Sequence, residues 1–219
     1  MELRQIKIYR MTHIKNIPHI LQHGVTHKDS PNSNDNFVTI GDISLIDTRN
    51  TKRVSVDNGD FPNLNAPTIV LGDFIPFYFG VKMPMLYVMQ NGGNFVRTAT
   101  PAEDIVYLAC SIYDIVQSNN TIYFTDGHAT DNLTTFFDGS KIKDLPSSID
   151  WKAVKAKFWG GQDNLNLKRK KQAEFLVADD ISPNYLIGFG CYNETAKQRL
   201  IVMGVEEEKI KIIPKAYYH

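Results

Sequence analysis

The period of hydrophobic and polar positions changes several times along these 219 residues. "IKIYRM" alternates, which predicts a strand over residues 6–11 with one buried face. In "THIKNIPHILQHG" the period lengthens, and Ile17, Ile20 and Leu21 fall on one helical stripe. Asn16 stands at its N-cap, Pro18 in its first turn and Gly24 at its stop. Residues 26–36 are polar, rich in Asn, Ser and Asp, and predict a loop. "LIDTRNTKRVSV" reads as a short basic-polar run leading into a strand. Residues 68–90 are dense in β-branched and aromatic side chains and broken by Gly72, Pro76, Gly80 and Pro84. They predict two buried strands with a tight connection.

Thr100-Pro101-Ala102-Glu103 has the form of a capping box, and Ile105, Leu108, Ala109 and Ile112 recur at helical spacing, so a helix is expected there. A strand over 121–127 and an amphipathic helix over 148–158, with Trp151, Val154 and Phe158 on one side, come next. Strands at 173–178 and 184–189, a helix at 194–203 and a closing strand at 209–217 complete the chain. Adjacent strands mixed with helices, without repeats or long linkers, argue for an α+β fold in a single domain spanning 1–219.

Composition adds little to this pattern, and charge adds more. The hydrophobic fraction of 42% supports a large core, and the net charge of zero announces no polyanionic partner. Locally, however, residues 141–171 carry nine Lys/Arg against three Asp/Glu, which is either a solvated face or an anion-binding lobe. Cys110 and Cys191 lie far apart in apolar surroundings and read as buried thiols in a reducing compartment. No apolar stretch reaches 18 residues and the N-terminus lacks an apolar signal core, so a soluble cytoplasmic protein is expected, with no membrane partner. Gly92-Gly93 is not followed by the Lys-Ser/Thr of a phosphate loop, and no G-x-S-x-G occurs. His23 and His27 straddle Gly24 and would not share a helix face, so no metal site is expected.

The candidate chemistry centres on "KRKKQAEFLV". Strand parity puts Ala173, Phe175 and Val177 on one face, and Glu174 and Leu176 on the other, beside Lys168, Arg169, Lys170 and Lys171. Two readings stand on these residues alone. Glu174 is either an exposed, ion-paired residue on an edge strand guarded by lysines, or a carboxylate at the floor of a cleft with a basic mouth.

Four blocks, "RMTHIKNIPHILQHG", "GDFIPFYFGVKMPMLYVM", "FTDGHA" and "RKKQAEFLV", resemble in this order the DarT family of DNA ADP-ribosyltransferases, the toxins of bacterial toxin–antitoxin pairs. The resemblance covers most of the chain from Tyr9 to Val177. It implies a split, mixed-sheet ADP-ribosyltransferase fold and transfer of ADP-ribose from NAD⁺ to a base of single-stranded DNA. It further implies a cognate antitoxin of the ADP-ribosylglycohydrolase type. Glu174 matches the family's catalytic glutamate. The essential arginine falls on Arg53, with Arg49 its nearest competitor. The NAD⁺-contacting set falls on Met11, Thr12, His13, Asn16, Gly24 and Tyr78. The DNA side falls on His128, Met85, Lys168, Arg169, Lys170 and Lys171. Tyr78, His128, Phe158 and Trp159 are candidate platforms for unstacked bases, whereas Phe158 and Trp151 read from their spacing as core. The "QAEFLV" form resembles the thymine-modifying branch. A guanine, RNA or protein acceptor, or a non-catalytic nucleic-acid-binding module on the same fold, are the other readings.

Overall fold

The alternating N-terminal segment forms β1 (Lys7–His13), and the longer period after it forms α1 (Ile17–His23), closed by Gly24 at φ +81°. In the computed structural model, residues 2–60, 63–93, 96, 98–118 and 120–218 are described. The next elements are α2 (Ile43–Thr51), β2 (Arg53–Ser55), β3 (Thr68–Val70), β4 (Ile75–Tyr78) and α3 (Pro84–Asn91). Then come β5 (Ile105–Ser111), α4 (Ile112–Gln117), β6 (Ile122–Thr125) and β7 (Phe136–Asp138). Three short helices, α5 (Leu145–Ser148), α6 (Trp151–Lys155) and α7 (Leu165–Lys171), lead into β8 (Glu174–Val177) and β9 (Leu186–Cys191). The chain closes with α8 (Glu194–Val202) and β10 (Ile210–Ile212). No helix among the described residues is long and apolar enough to cross a membrane.

Among the described residues, eight strands form one mixed sheet in the order β10-β9-β5-β1-β4-β8-β6-β7, in which β9 and β10 are parallel and the other pairs antiparallel, and β2 and β3 make a separate ribbon. The sheet is split at β1/β4. β1 pairs with β5 along its whole length, but with β4 through the single pair Tyr9↔Tyr78. Pro76 explains the gap: it has no N–H to continue a ladder, and its carbonyl instead accepts from Arg10 Nη1 at 2.9 Å. One face of the sheet, including Ile8, Phe77, Leu108, Phe124, Phe175 and Val177, packs under α1, α4, α6 and α8 in the largest core. On the other face two smaller cores stand apart. One joins Ile105 and Tyr107 to Leu86 and Met89 of α3, and the other joins Leu176 to Val56, Leu71 and Ala129. The split edge lies between them.

Several elements depart from the pattern in the sequence. The expected helix over 100–112 is β5, a central strand buried on both faces, whose continuous apolar run "IVYLAC" matches helical spacing by chance. Glu103 of the supposed capping box instead accepts from Asn193 Nδ2 at 2.5 Å. Residues 68–90 do hold two strands with a tight connection, β3 and β4 about Leu71–Asp73, but β3 is partly exposed and the segment from Pro84 is the helix α3. The basic-polar run before β2 is the helix α2, capped by Asp42, whose Oδ1 accepts from Leu45 N at 3.2 Å. None of its residues is fully buried, so no apolar stripe marks it. The helix expected over 148–158 stops at Lys155, and Phe158 is 87% exposed rather than core. The closing strand ends at Ile212, before Pro214.

Candidate active site

β8 begins with Glu174, and parity places it as expected, opposite Phe175 and Val177. Both faces of β8 are covered, however, and Glu174 is fully buried. Its carboxylate is held from two sides. Arg49 Nη1, projecting from α2, donates to Oε2 at 2.9 Å and to Oε1 at 3.2 Å. From the turn after β6, the Ala129 N–H donates to Oε1 at 2.9 Å, and His128 Nε2 lies 4.0 Å from the same oxygen. Oε2 therefore keeps more of its accepting capacity than Oε1.

The wall that carries Ala129 and His128 is built from the basic segment. Arg169 is buried, and its Nη1 donates to Asp126 Oδ1 at 2.8 Å and to Thr134 Oγ1 at 3.3 Å. Its carbonyl accepts from His128 N at 3.0 Å. A Cβ on Gly127 would lie 2.4 Å from Arg169 Nη1, so the turn needs glycine to approach this closely. Lys52, just after α2, ties the opposite wall across by donating to Asn132 Oδ1 at 2.9 Å and to the Thr130 carbonyl.

Beside the Arg49–Glu174 pair lies a cavity of about 150 Å³ lined by Arg10, Met11, Thr12, Arg49, Tyr78, Met85 and His128 among others. Arg10 and Thr12 also line a second, larger cavity of about 310 Å³ beside α1, with His19, Gly24 and His27. The two make one groove along β1 at the split. Arg10 and Arg49 meet Glu174 and Asp42 here, so the cations face carboxylates in equal number. Burial and the neighbouring Arg49 lower the Arg10 pKa to about 10, which still leaves it charged at neutral pH. Burial, with Glu174 alongside, raises that of Tyr78, so its hydroxyl stays protonated. Burial also lowers the pKa of His128, so the imidazole is neutral at pH 7. Arg49 Nη2 is buried without a partner among the described residues. A dinucleotide with an anionic diphosphate fits such a groove, because two arginines with an unspent guanidinium donor on Arg49 are what it needs.

The remaining sequence candidates separate. Met11, Thr12, Tyr78, Met85 and His128 are brought together around the cavity beside the Arg49–Glu174 pair, and Gly24 lines the far end of the groove. Arg53 is not: it is exposed on β2 and lines a different cleft with Lys52, Asp57 and Asn63, while Arg49 takes the position against Glu174. The His13 ring Nδ1 accepts from Lys15 N at 3.1 Å, and the residue lines a neighbouring depression with Val38–Gly41 rather than the groove. Asn16 is fully buried. Its amide donates to Thr12 Oγ1 and the Val38 carbonyl and accepts from Val38 N, so it clamps the loop over β1 rather than facing a ligand. Arg10 went unrecognised in the sequence, although a cation in phase with the apolar Ile6 and Ile8, unlike Lys7, was the available signal.

The four basic residues before Glu174 also divide, because they lie on α7 and not on a loop or strand start. Arg169 supports the turn, and Lys171 is buried with Nζ donating to the Val154 carbonyl at 2.9 Å. Neither can reach DNA phosphates. Lys170 pairs with Asp150 at 3.2 Å, and Lys168 is exposed. Lys168→Gln is therefore expected to lower the log–log salt slope of oligonucleotide binding by roughly 0.7. Arg169→Ala should instead lower the melting temperature by roughly 4–8 °C through the lost pair with Asp126, at about 2 kcal/mol. An Arg169→Ala protein with wild-type stability would mean that the turn holds without it.

A family profile described as "ssDNA thymidine ADP-ribosyltransferase, DarT" matches residues 9–218. A DNA ADP-ribosyl transferase of Escherichia coli O127:H6 is 30% identical over 194 residues, covering 88% of this chain and 83% of that protein. The solved structure "Thermus sp. 2.9 DarT in complex with ADP-ribosylated ssDNA" superposes with a TM-score of 0.79 at 26% identity, covering 97% of this chain and 96% of that one. The same Thermus protein with carba-NAD⁺ superposes at a TM-score of 0.74 and 25% identity, covering 97% and 98%. A DNA ADP-ribosyl transferase–DNA ADP-ribosyl glycohydrolase fusion protein of Thermosipho africanus is 28% identical over 181 residues, 82% of this chain and 41% of that protein.

Proposed function

We propose, from the premise that this chain belongs to the DarT family of ssDNA thymidine ADP-ribosyltransferases, that Glu174 and Arg49 form the catalytic pair of a single ADP-ribosyltransferase domain spanning 1–219. The chain is a NAD⁺-dependent enzyme that transfers one ADP-ribose to thymidine in single-stranded DNA, the toxin of a toxin–antitoxin pair whose antitoxin is of the glycohydrolase type. NAD⁺ is consumed as a substrate, and no group of three metal-ligating side chains occurs among the described residues. The single observation that carries the catalytic reading is a fully buried carboxylate held by Arg49, which lines the groove with Arg10 and keeps one guanidinium nitrogen unpaired among the described residues.

The chemistry follows from those groups. The bond between C1′ of the ribose and the nicotinamide nitrogen breaks, and its electron pair leaves with nicotinamide. Positive charge develops on the ribose, and the Glu174 carboxylate stabilises it by about 3–4 kcal/mol, on the scale of other preorganised electrostatic groups. Thymine attacks C1′ through its ring nitrogen that carries a proton, and that proton must leave. An arginine is a poor base. Arg49 instead donates from Nη2 to the oxygen on which thymine's negative charge gathers. With Nδ1–H donating to Thr130 Oγ1, 2.7 Å away, His128 Nε2 is left free to take the proton. The imidazolium formed then lies 4.0 Å from Glu174, which favours it.

Because burial puts the His128 pKa below the ordinary 6.5, the rate should hold flat through neutrality and fall only in mildly acid solution, as the base becomes protonated. His128→Ala should lower the rate roughly 100-fold and remove that acid limb. An unchanged limb in the variant would assign it to another group. At the far end of the groove, Thr12, Gly24 and Arg10 hold the diphosphate half of NAD⁺. The buried free thiols Cys110 and Cys191, their pKa values raised to about 12 and about 11, suit a reducing cytoplasm. The deciding experiment mixes the protein with NAD⁺ and short oligonucleotides lacking one base each. A mass gain of one ADP-ribose on every strand that contains thymine, and on none without it, is expected. Modification of thymine-free strands would move the acceptor to another base.

A further inference from the structure

Away from the groove, three aromatic rings and two lysines form a cluster that the reaction does not use. Tyr87 of α3, Trp159 and Tyr218 meet edge to face, with Tyr87 to Trp159 at 6.0 Å and Tyr87 to Tyr218 at 5.3 Å. Trp159 Nε1 donates to Tyr218 Oη at 2.8 Å, and Tyr218 Oη donates to the Lys82 carbonyl at 2.9 Å. The polar tips of Trp159 and Tyr218 are thus spent internally, which fixes these two rings. Tyr87 is nevertheless 46% exposed and the adjacent Phe158 is 87% exposed.

The lysines are placed over this surface. Lys168 Nζ lies 5.3 Å from the Trp159 ring centroid, and Lys82 Nζ lies 4.9 Å from that of Tyr218. Lys82 has φ +58°, a left-handed conformation that favours glycine or asparagine. Its backbone N–H donates to Tyr107 Oη at 3.0 Å, so two tyrosines hold a lysine where its conformation is strained. Residues 151–162 add Lys152, Lys155 and Lys157 and no acidic residue. Lys168 also lines an open cleft with His128, Leu133, Leu165 and Gln172, so the cluster connects through it to the wall of the active site.

We propose that this cluster is a second nucleic-acid contact: a platform on which bases of the single strand, beyond the thymidine that reacts, stack on Tyr87, Trp159 and Phe158 while Lys82 and Lys168 meet the flanking phosphates. Rigid, partly exposed rings interleaved with cations are the chemistry that single strands of any sequence take. The inference rests on the DNA-directed reading above and adds to it that affinity depends on strand length.

The test measures oligonucleotide binding by anisotropy, without NAD⁺, for a 4-mer and a 12-mer that each contain one thymidine, and transfer to each by mass. Wild type should bind the 12-mer more tightly. Tyr87→Ala should lose about tenfold on the 12-mer, on the scale of one stacked base, with binding and transfer on the 4-mer unchanged. Trp159→Ala should do the same for the 12-mer, and Trp159→Phe should restore most of it. Equal losses on both lengths, or no loss on either, overturn the platform. If wild type binds the 12-mer in this way yet modifies neither strand, the platform stands and the transferase reading fails. If it binds neither, both fail.

Discussion

Glu174→Gln removes transfer to thymidine, with a rate roughly 10²–10³-fold lower, the scale for losing one preorganised electrostatic group. Glutamine keeps the volume and an amide oxygen for the Ala129 N–H, now 2.9 Å from Oε1, but not the charge that meets the developing positive ribose. The readout is oligonucleotide mass after a single turnover, beside a thermal melt. Glu174→Ala is the poorer test. The side chain is fully buried, and its removal leaves the largely buried Arg49 guanidinium without its anion. Part of its effect would then be lost stability. A folded Glu174→Gln protein with wild-type transfer would leave the assignment without support.

Arg49→Ala should be as damaging to catalysis, and more damaging to the fold. It removes the donor to thymine's negative charge and strands the Glu174 carboxylate with the Ala129 N–H as its remaining hydrogen bond. Breaking a buried pair from one side costs about 3–5 kcal/mol, which for a chain of this size lowers the melting temperature by roughly 6–20 °C. The double variant Arg49→Ala/Glu174→Gln should recover much of that stability and none of the activity, because no charge is left unpaired. Arg53→Ala is the control, since Arg53 is exposed on β2 and does not line the groove. Its stability should stay within about 0.5 kcal/mol and its activity should be unchanged. Loss of transfer in Arg53→Ala with full activity in Arg49→Ala would reverse the pair.

Patterns that depend on near neighbours in the chain were legible in the sequence. The alternation of β1, the stripe and glycine stop of α1, and the parity that sets Glu174 opposite Phe175 are local consequences of backbone geometry. The family blocks carried the α+β class, NAD⁺ and single-stranded DNA with them. The local rules failed where an element's environment comes from elsewhere in the chain. The continuous apolar run of β5 reads as a helix until both of its faces are known to be covered. α2 buries no residue fully, so its place follows from the Asp42 cap, Lys52 on the Thr130 turn and Arg49 on Glu174.

The choice between Arg49 and Arg53 was therefore closed to the sequence. Four positions apart in a chain read as running into a strand, both would be near the same cleft. With a helix ending at Thr51 and a strand starting at Arg53, one points at Glu174 and the other at solvent. The basic run divides for the same reason. Four adjacent cations look equivalent in sequence, but on α7 their side chains leave in different directions, so Arg169 and Lys171 turn inward to Asp126 and Val154 while Lys168 stays in water. The sequence by itself determined which residue types and local elements the chain would hold. Only the tertiary structure decided which charges meet, because a charge pair depends on distance through space, and a separation of 125 positions between Arg49 and Glu174 carries no local signal of it.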